Sequence, residues 1–466
     1  MDLIDNALGT SKSKSIKNIP FKIRYRCELQ FFTDDGKITF SPIKIKEFEK
    51  EVDYSKSFTA SLNFNALFDS THVNIIKENQ DKLLVKLTLS KVKYINAKDS
   101  KPREEVETTI DVEDVFLPFF EQEDLVSFRD VPKTRDPDAP MTDALVNGQD
   151  RSLNLFEVRI YMHQLKYHEM YKKIYNFVIR GKNNGQINVA TALKYICETC
   201  GVDGYIIDMP DNNIQFNNII IPPGNVKHCI DVLQITYGVY LKDICSFYDL
   251  DGKFYILSKL NIKHEFEKDK PRVTILNVTV DRNESDHGTA IYKENNVVEH
   301  SIYKGILDSS IAIISGEAYG DSIVFTNYGY GMDAFVFADG KLGKTNPVTR
   351  EFIRNATSHQ DTSLSINYEY DELNNPFNMF SNLRSIGLDS FYIVASEGMD
   401  SDCLKPNVVF QINVTSNGEN DNVKYAGKFF PIMSYKQKFL RDNDVTSMDI
   451  FKTTEAIILA DTKEEY

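Results

Sequence analysis

From Phe21 to Phe31 the side chains alternate without a break. Phe21, Ile23, Tyr25, Cys27, Leu29 and Phe31 are apolar, while Lys22, Arg24, Arg26, Glu28 and Gln30 are polar. A period of two belongs to a β-strand with one buried and one wet face, and no helix reproduces it. The pattern returns at Leu83, Val85, Leu87 and Leu89, at Phe156, Val158, Ile160 and Met162, and at Val408, Phe410, Ile412 and Val414. Turn chemistry follows the first and last runs, as Asp34-Asp35-Gly36 and Ser416-Asn417-Gly418. Both ends of the chain are therefore expected to build antiparallel sheet.

The middle follows a different rule. Val226, Cys229, Ile230, Leu233 and Tyr237 recur at three- and four-residue steps, the mark of an amphipathic helix. Pro222, Pro223 and Gly224 interrupt any preceding strand, and the Asn225 side chain can cap the first turn. Past Gly238, the runs Tyr240–Tyr248 and Lys253–Ser258 are rich in aromatic and β-branched residues, and Asp251-Gly252 between them suits a hairpin turn. A second helical stripe, Val189, Ala192, Leu193, Ile196, Cys197 and Cys200, ends at Gly201. Residues 187–259 thus read as a compact α/β module.

The apolar fraction of 42%, with 30 Phe and 24 Tyr, is enough to fill real cores, and 466 residues imply several domains. A net charge of -14 repels phosphate, which argues against a sequence-independent grip on nucleic acid. Neither the first seventeen residues nor any later stretch offers the run of ~20 apolar residues that spans a bilayer, so no signal peptide or membrane anchor is expected. Six cysteines are sparse for this length and lie in apolar patterns, which predicts free thiols. Residues 129–151, rich in proline and aspartate, read as an exposed loop. Between Arg272 and Ser396 the strand-like pieces Val273–Val280, Ile311–Ile314 and Phe391–Val394 do not disclose their order.

Each chemical motif has a plainer explanation. Cys197-Glu-Thr-Cys200 has the spacing of a metal or redox pair, but no second pair accompanies it and both thiols fall on the helix's apolar stripe. Asp249-Leu-Asp251-Gly252 resembles the start of a calcium loop but lacks its later ligands, and a hairpin turn accounts for it. The acidic group Asp111, Glu113, Asp114, Glu121, Glu123 and Asp124 could supply paired carboxylates, yet it flanks the apolar run Val115–Phe120. His163 and His168 lack a metalloprotease arrangement, and Gly329-Tyr-Gly331 lacks the setting of a phosphate loop. No enzymatic activity, metal or cofactor is expected.

Two segments carry a family likeness. IIIPPGNVKHCIDVLQITYGVYLKDICSFYDLDGKFYILSK, Ile219 to Lys259, resembles the central module of T4-type phage baseplate hub proteins. There a helix leads through Tyr-Gly-x-Tyr into an aromatic strand, an Asp turn and a Tyr-x-Leu strand. The stretch Lys405–Glu455, with its Pro-Asn-x-x-Phe strand and Tyr-x-Gly-x-Phe, is similar to the hub's closing barrel strands. Together they cover roughly a fifth of the chain and match in apolar and turn residues, not in catalytic signatures.

The resemblance implies a mainly β fold with α+β content, in which two tube-like antiparallel β-barrel domains flank an inserted α/β module. Residues 1–20 would form an N-terminal arm and 21–165 the first barrel, with its exposed loop near 129–151. The α/β module would be 166–262, followed by a β-rich region at 263–400, and 401–466 would complete the second barrel. The implied function is that of a structural virion protein. It would be a homotrimeric hub joining the hexameric tail tube to a separate spike protein, touching the tape-measure protein and other baseplate proteins. DNA would pass only transiently through its lumen, and the protein would reside in the virion baseplate after assembly in the host cytoplasm. Candidate assembly positions are strand edges and aromatic rims: Phe21, Ile23, Tyr25, Leu233, Tyr237, Gly238, Tyr240, Phe429, Phe430 and Tyr435. Two other readings are a tail-tip or other baseplate protein docking receptor-binding components through 129–151, and a metal-dependent hydrolase built around Cys197 and Cys200.

Overall fold

The computed structural model describes residues 20–54, 57–95, 104–121, 155–182, 185–240, 244–259, 261–279, 289–293, 296–303, 306–308, 323–326, 334–338, 341–345, 390–395, 398–416, 419–420, 428–441 and 450–460. The expected arm up to residue 19, the 129–151 loop, the Ile311–Ile314 strand, and the Asn417-Gly418 turn lie outside these residues. No helix among the described residues is long and apolar enough to cross a membrane.

Alternation becomes strand where the sequence places it. The first part of the chain supplies β1 (Phe21–Thr33), β2 (Thr39–Phe40), β3 (Lys44–Asp53), β4 (Ser61–Asp69), β5 (Leu83–Ile95), β6 (Glu104–Phe120) and β7 (Leu155–Gln164), with helix α1 (Ser70–Asn79) between β4 and β5. The later part supplies β13 (Val273–Thr279), β14 (Thr289–Tyr292), β15 (Val297–Tyr303), β16 (Ile306–Asp308), β20 (Ser390–Ala395), β21 (Val409–Ser416), β22 (Glu419–Asn420), β23 (Phe430–Arg441) and β24 (Ile450–Ala460). A separate antiparallel meander is made by β17 (Ile323–Thr326), β18 (Ala334–Ala338) and β19 (Lys341–Thr345).

The two ends of the chain share one sheet. β3 pairs with β23 from Asp53↔Ser434 to Glu47↔Leu440, and β1 meets β24 at Tyr25↔Phe451. The strands β1, β5, β6, β7, β4, β3, β23 and β24 thereby close into one hydrogen-bonded circuit. A second circuit runs from β1 through β14, β15, β13 and β21 back to β23 and β24. The outer perimeter of the pair is an eleven-stranded barrel, and β24 bridges it as part of the shared wall. Closure removes the sheet edges that would otherwise invite aggregation. The run Val408–Val414, expected in antiparallel sheet, pairs through β21 in parallel with β13, which is also parallel to β15.

The shared wall changes the meaning of the alternation. β1 is paired with β5 along all its residues, and on its polar side Lys22 and Arg24 are only 6% and 5% exposed. Sheet lies on both sides of this end of β1, so its polar face is buried too. From Glu28 to Gln30 the wet face appears as expected. The barrel interior is packed with rings: Phe48 stacks on Phe439 at 3.8 Å and on Phe64 at 4.7 Å, and Phe451 meets Phe48 edge-on at 5.4 Å. Such pairs add about 0.5–1.5 kcal/mol each beyond their buried area.

The α/β module contains α2 (Leu165–Lys172), β8 (Tyr175–Ile179), α3 (Val189–Thr199), β9 (Tyr205–Ile207), β10 (Ile219–Gly224), α4 (Val226–Val232), β11 (Ile244–Tyr248) and β12 (Phe254–Ser258). Its own core collects Val189, Leu193, Ile196, Val226, Ile230 and Leu233, all fully buried. Asn225 caps α4 by accepting the His228 N–H at 2.9 Å. The helix does not run regularly to Gly238. Its last turn, Leu233–Tyr237, is a π-turn in which the Gly238 N–H reaches back to Leu233 and Gln234. The wider turn buries Gln234 beside Leu233, and Gln234 then binds the backbone of Val239 and Tyr240 at 2.9–3.1 Å. Pro222 and Pro223, read as a strand interruption, lie inside β10 at a register shift. An outer strand tolerates residues without an N–H there.

Candidate functional site

Among the described residues, a dense arrangement of charged and hydrogen-bonding groups surrounds a short buried segment, 398–407, between β20 and β21. Gly398 begins it under close contact, since a Cβ there would lie 2.1 Å from Thr453 Oγ1. The Met399 N–H donates to Glu455 on β24 at 2.9 Å, and the Tyr25 hydroxyl on β1 donates to the Met399 carbonyl at 3.0 Å. That hydroxyl also accepts the Ser401 N–H at 3.1 Å, while Ser401 Oγ donates to Asp111 on β6 at 2.5 Å.

Lys91 on β5 is 5% exposed and donates to Asp400 at 2.6 Å and to Asp402 at 3.2 Å. Tyr292 on β14 also donates to Asp400. Burial opposes charge on Lys91, but Asp400 and Asp402 outweigh it and hold the ammonium well above the ordinary lysine value. The same balance, burial against Lys91 and Lys93, keeps Asp400 ionised below the usual carboxylate range.

The far end of the segment ties in the module. Lys405 donates to Asp249 and lies 3.0 Å from Asp251, so the two carboxylates of the calcium-like motif converge on an ammonium group. Tyr54, just past β3, donates to the Leu404 carbonyl at 2.6 Å, and Asn407 Nδ2 donates to the Glu265 carbonyl at 2.9 Å. Lys50 lies 5.3 Å from the Tyr435 ring centre on the barrel side of the same group. Chemically, this cluster is a set of compensated ion pairs and backbone ties. It fixes barrel wall and α/β module to one another.

The positions expected to face other subunits are placed differently. Phe21, Ile23 and Tyr25 lie in the chain's own core, because β1 is paired on both sides and is not a free edge. Phe430 and Tyr435 are also buried, and Phe429 is half-buried. Leu233 is fully buried, Gly238 ends the π-turn at φ +73°, and the Tyr240 hydroxyl donates inward to the Asp208 carbonyl at 2.8 Å. Tyr237 is half-buried, and its hydroxyl is bound to the backbone of Ile220. Cys197 and Cys200 face the module core, where burial pushes both thiols up to about 12. Glu113 and Asp114 point in different directions: Glu113 pairs with Lys86, and Asp114 accepts from Gln164. The carboxylates Glu123 and Asp124 lie outside the described residues.

Two features escaped the sequence reading. One is the 398–407 segment, whose partners lie from 56 to 376 residues away. The other is an outward-facing aromatic pair on the barrel, Phe119 of β6 directly opposite Tyr161 of β7, exposed by 46% and 38%. The signal for it was a phenylalanine and a tyrosine at the wet positions of their strands.

No model of a known protein family matches the chain, and a search of curated proteins finds no match. Among solved structures, the chain is similar to the 43 kDa tail protein of prophage MuSo2 from Shewanella oneidensis. That match has 10% identity and a TM-score of 0.37 over 93% of this chain and 97% of that one. It is also similar to a chain of the lidded Francisella PdpA-VgrG complex, with 8% identity and a TM-score of 0.34, over 99% of this chain and 55% of that one. For the half-lidded form of that complex the values are 8%, 0.33, 96% and 59%.

Proposed function

We propose that this chain is a structural subunit of a phage-type tail, and specifically a homotrimeric baseplate hub that links the tail tube to a spike protein. The observation that carries the reading is the pair of barrel circuits sharing β1, β23 and β24. One chain then offers two barrel units side by side, and three chains offer the six that a hexameric tube requires. The sequence likeness of 219–259 and 405–455 to hub proteins supports the same assignment. The first circuit is filled with stacked rings, and the strands of the second bury Leu276, Val278, Val298 and Ile412, so under this reading any channel belongs to the ring of subunits, where DNA would pass transiently. The exposed Phe119–Tyr161 pair suits a contact between neighbouring chains, since aromatics are enriched at such interfaces. The tape-measure protein and other baseplate proteins are further partners under this reading.

Mass measurement of the purified chain, with averaged electron micrographs, tests it. Trimers or rings, alone or with the spike protein, are expected, and Phe119→Glu with Tyr161→Glu should release monomers that keep their β-rich circular dichroism. A wild-type chain that stays monomeric with its spike partner present would overturn the proposal.

A further inference from the structure

β8 and β10 form a two-stranded antiparallel ribbon on the surface of the module, with Ile220 opposite Val178. The two outer edges of this ribbon are treated differently. On β10 the Tyr237 hydroxyl accepts the Ile220 N–H at 2.7 Å and lies 3.2 Å from the Ile220 carbonyl, to which it donates. Pro222 and Pro223 follow and bring no N–H, so this edge is closed to another strand.

That capping fixes the geometry of the other edge. In an antiparallel ladder, opposite residues either exchange both backbone hydrogen bonds or exchange none. Ile220 turns both groups outward to Tyr237, so Ile220 and Val178 are a pair that exchanges none, and the Val178 N–H and carbonyl point away from β10. Among the described residues nothing pairs with that side of β8. Beside it lies a cleft of about 490 Å³ lined by Val178, Arg180, Lys182, Thr191 and Tyr195. Val178 is 63% exposed and Tyr195 48%.

Charge selects the occupant. Lys172 and Lys173 stand before β8, and Arg180 and Lys182 after it, all exposed and none in an ion pair among the described residues. A second copy of the same edge, paired antiparallel, would set these cations against one another. An acidic strand would meet them favourably at both ends.

We propose that the outer edge of β8 docks an extended, acidic segment of a partner protein as an added strand. The backbone of Val178 supplies the hydrogen bonds, the cleft takes a side chain of the incoming segment, and the four cations set its charge. This inference does not depend on the trimeric hub reading.

Fluorescence anisotropy of the full chain with two labelled, end-blocked hexapeptides tests it, one alternating Glu and Val and the other Lys and Val. The acidic peptide should bind and the basic one should not, and N-methylation of alternate amides should weaken binding about tenfold or more, because strand addition uses backbone donors. Val178→Pro removes only an outward N–H and should abolish binding. Arg180→Glu with Lys182→Glu leaves the backbone intact and should reverse the charge preference. Equal binding of both peptides, or binding of neither, overturns the proposal. So does a dimer of the chain that Val178→Pro dissolves, because that gives the edge to a second copy.

Discussion

Glu455 gives the sharpest test of the buried segment. Its carboxyl is fully buried on β24, accepts the Met399 N–H at 2.9 Å and lies 3.3 Å from Gln437 Nε2. Burial pushes its pKa up from 4.5 to about 7, against the opposing pull of the Met399 N–H. The sign follows from proton binding. Between these two values the folded chain holds a proton that the unfolded chain has lost, so stability is fully present below pH 4.5 and declines as pH rises through 7. At about 1.4 kcal/mol per pH unit, the loss across the window is about 3 kcal/mol. Glu455→Gln keeps the acceptor oxygen for Met399 and cannot ionise. His300 must be separated from this effect. It is buried, its pKa is lowered by burial to about 4, and it stabilises the fold as pH rises through the same range. The difference between variant and wild type cancels it. Urea unfolding followed by circular dichroism from pH 4 to pH 8.5 should therefore show the variant gaining about 3 kcal/mol relative to wild type, with a constant offset for the new amide. Parallel curves across that range would refute the assignment of a proton to Glu455.

Two further substitutions probe the module and its attachment. Leu233→Ala should lower stability by about 2–5 kcal/mol, the range for emptying a buried leucine site, with faster amide exchange in α3 and α4; unchanged exchange would move Leu233 out of the core. Lys405→Met leaves Asp249 buried without its cation and should cost about 3–5 kcal/mol, whereas adding Asp249→Leu should restore most of it. Proteolysis between barrel and module should follow the single variant and not the double one.

What the sequence made legible was local. The Asn225 cap, the Gly238 stop and the Asp251-Gly252 turn each depend on neighbours within a few residues, and all three stand where their chemistry puts them. The π-turn was hidden because it changes the helical period by one residue, which moves Gln234 inward where a regular stripe would leave it outside. Nothing local announced the 398–407 segment, because Asp400 answers to Lys91 and Met399 to Tyr25, across 309 and 374 residues.

The run from Phe21 to Phe31 contains both lessons. Its period correctly specifies a strand, but period alone cannot say how many sheets lean on that strand. Lys22 and Arg24 occupy positions that alternation assigns to water, and both are buried because β1 borders two circuits. A long cationic side chain can accept such a place by laying its methylenes against apolar neighbours and carrying its charge to a polar group. The shared wall therefore leaves a trace in composition: four of the five polar residues in this run are Lys, Arg or Glu, and the two that are buried are cations. An alternating strand whose polar face begins with Lys and Arg is compatible with a wall between two barrels as well as with a surface strand. Only the pairing of β1 with β14, β24 and β5 decides between them.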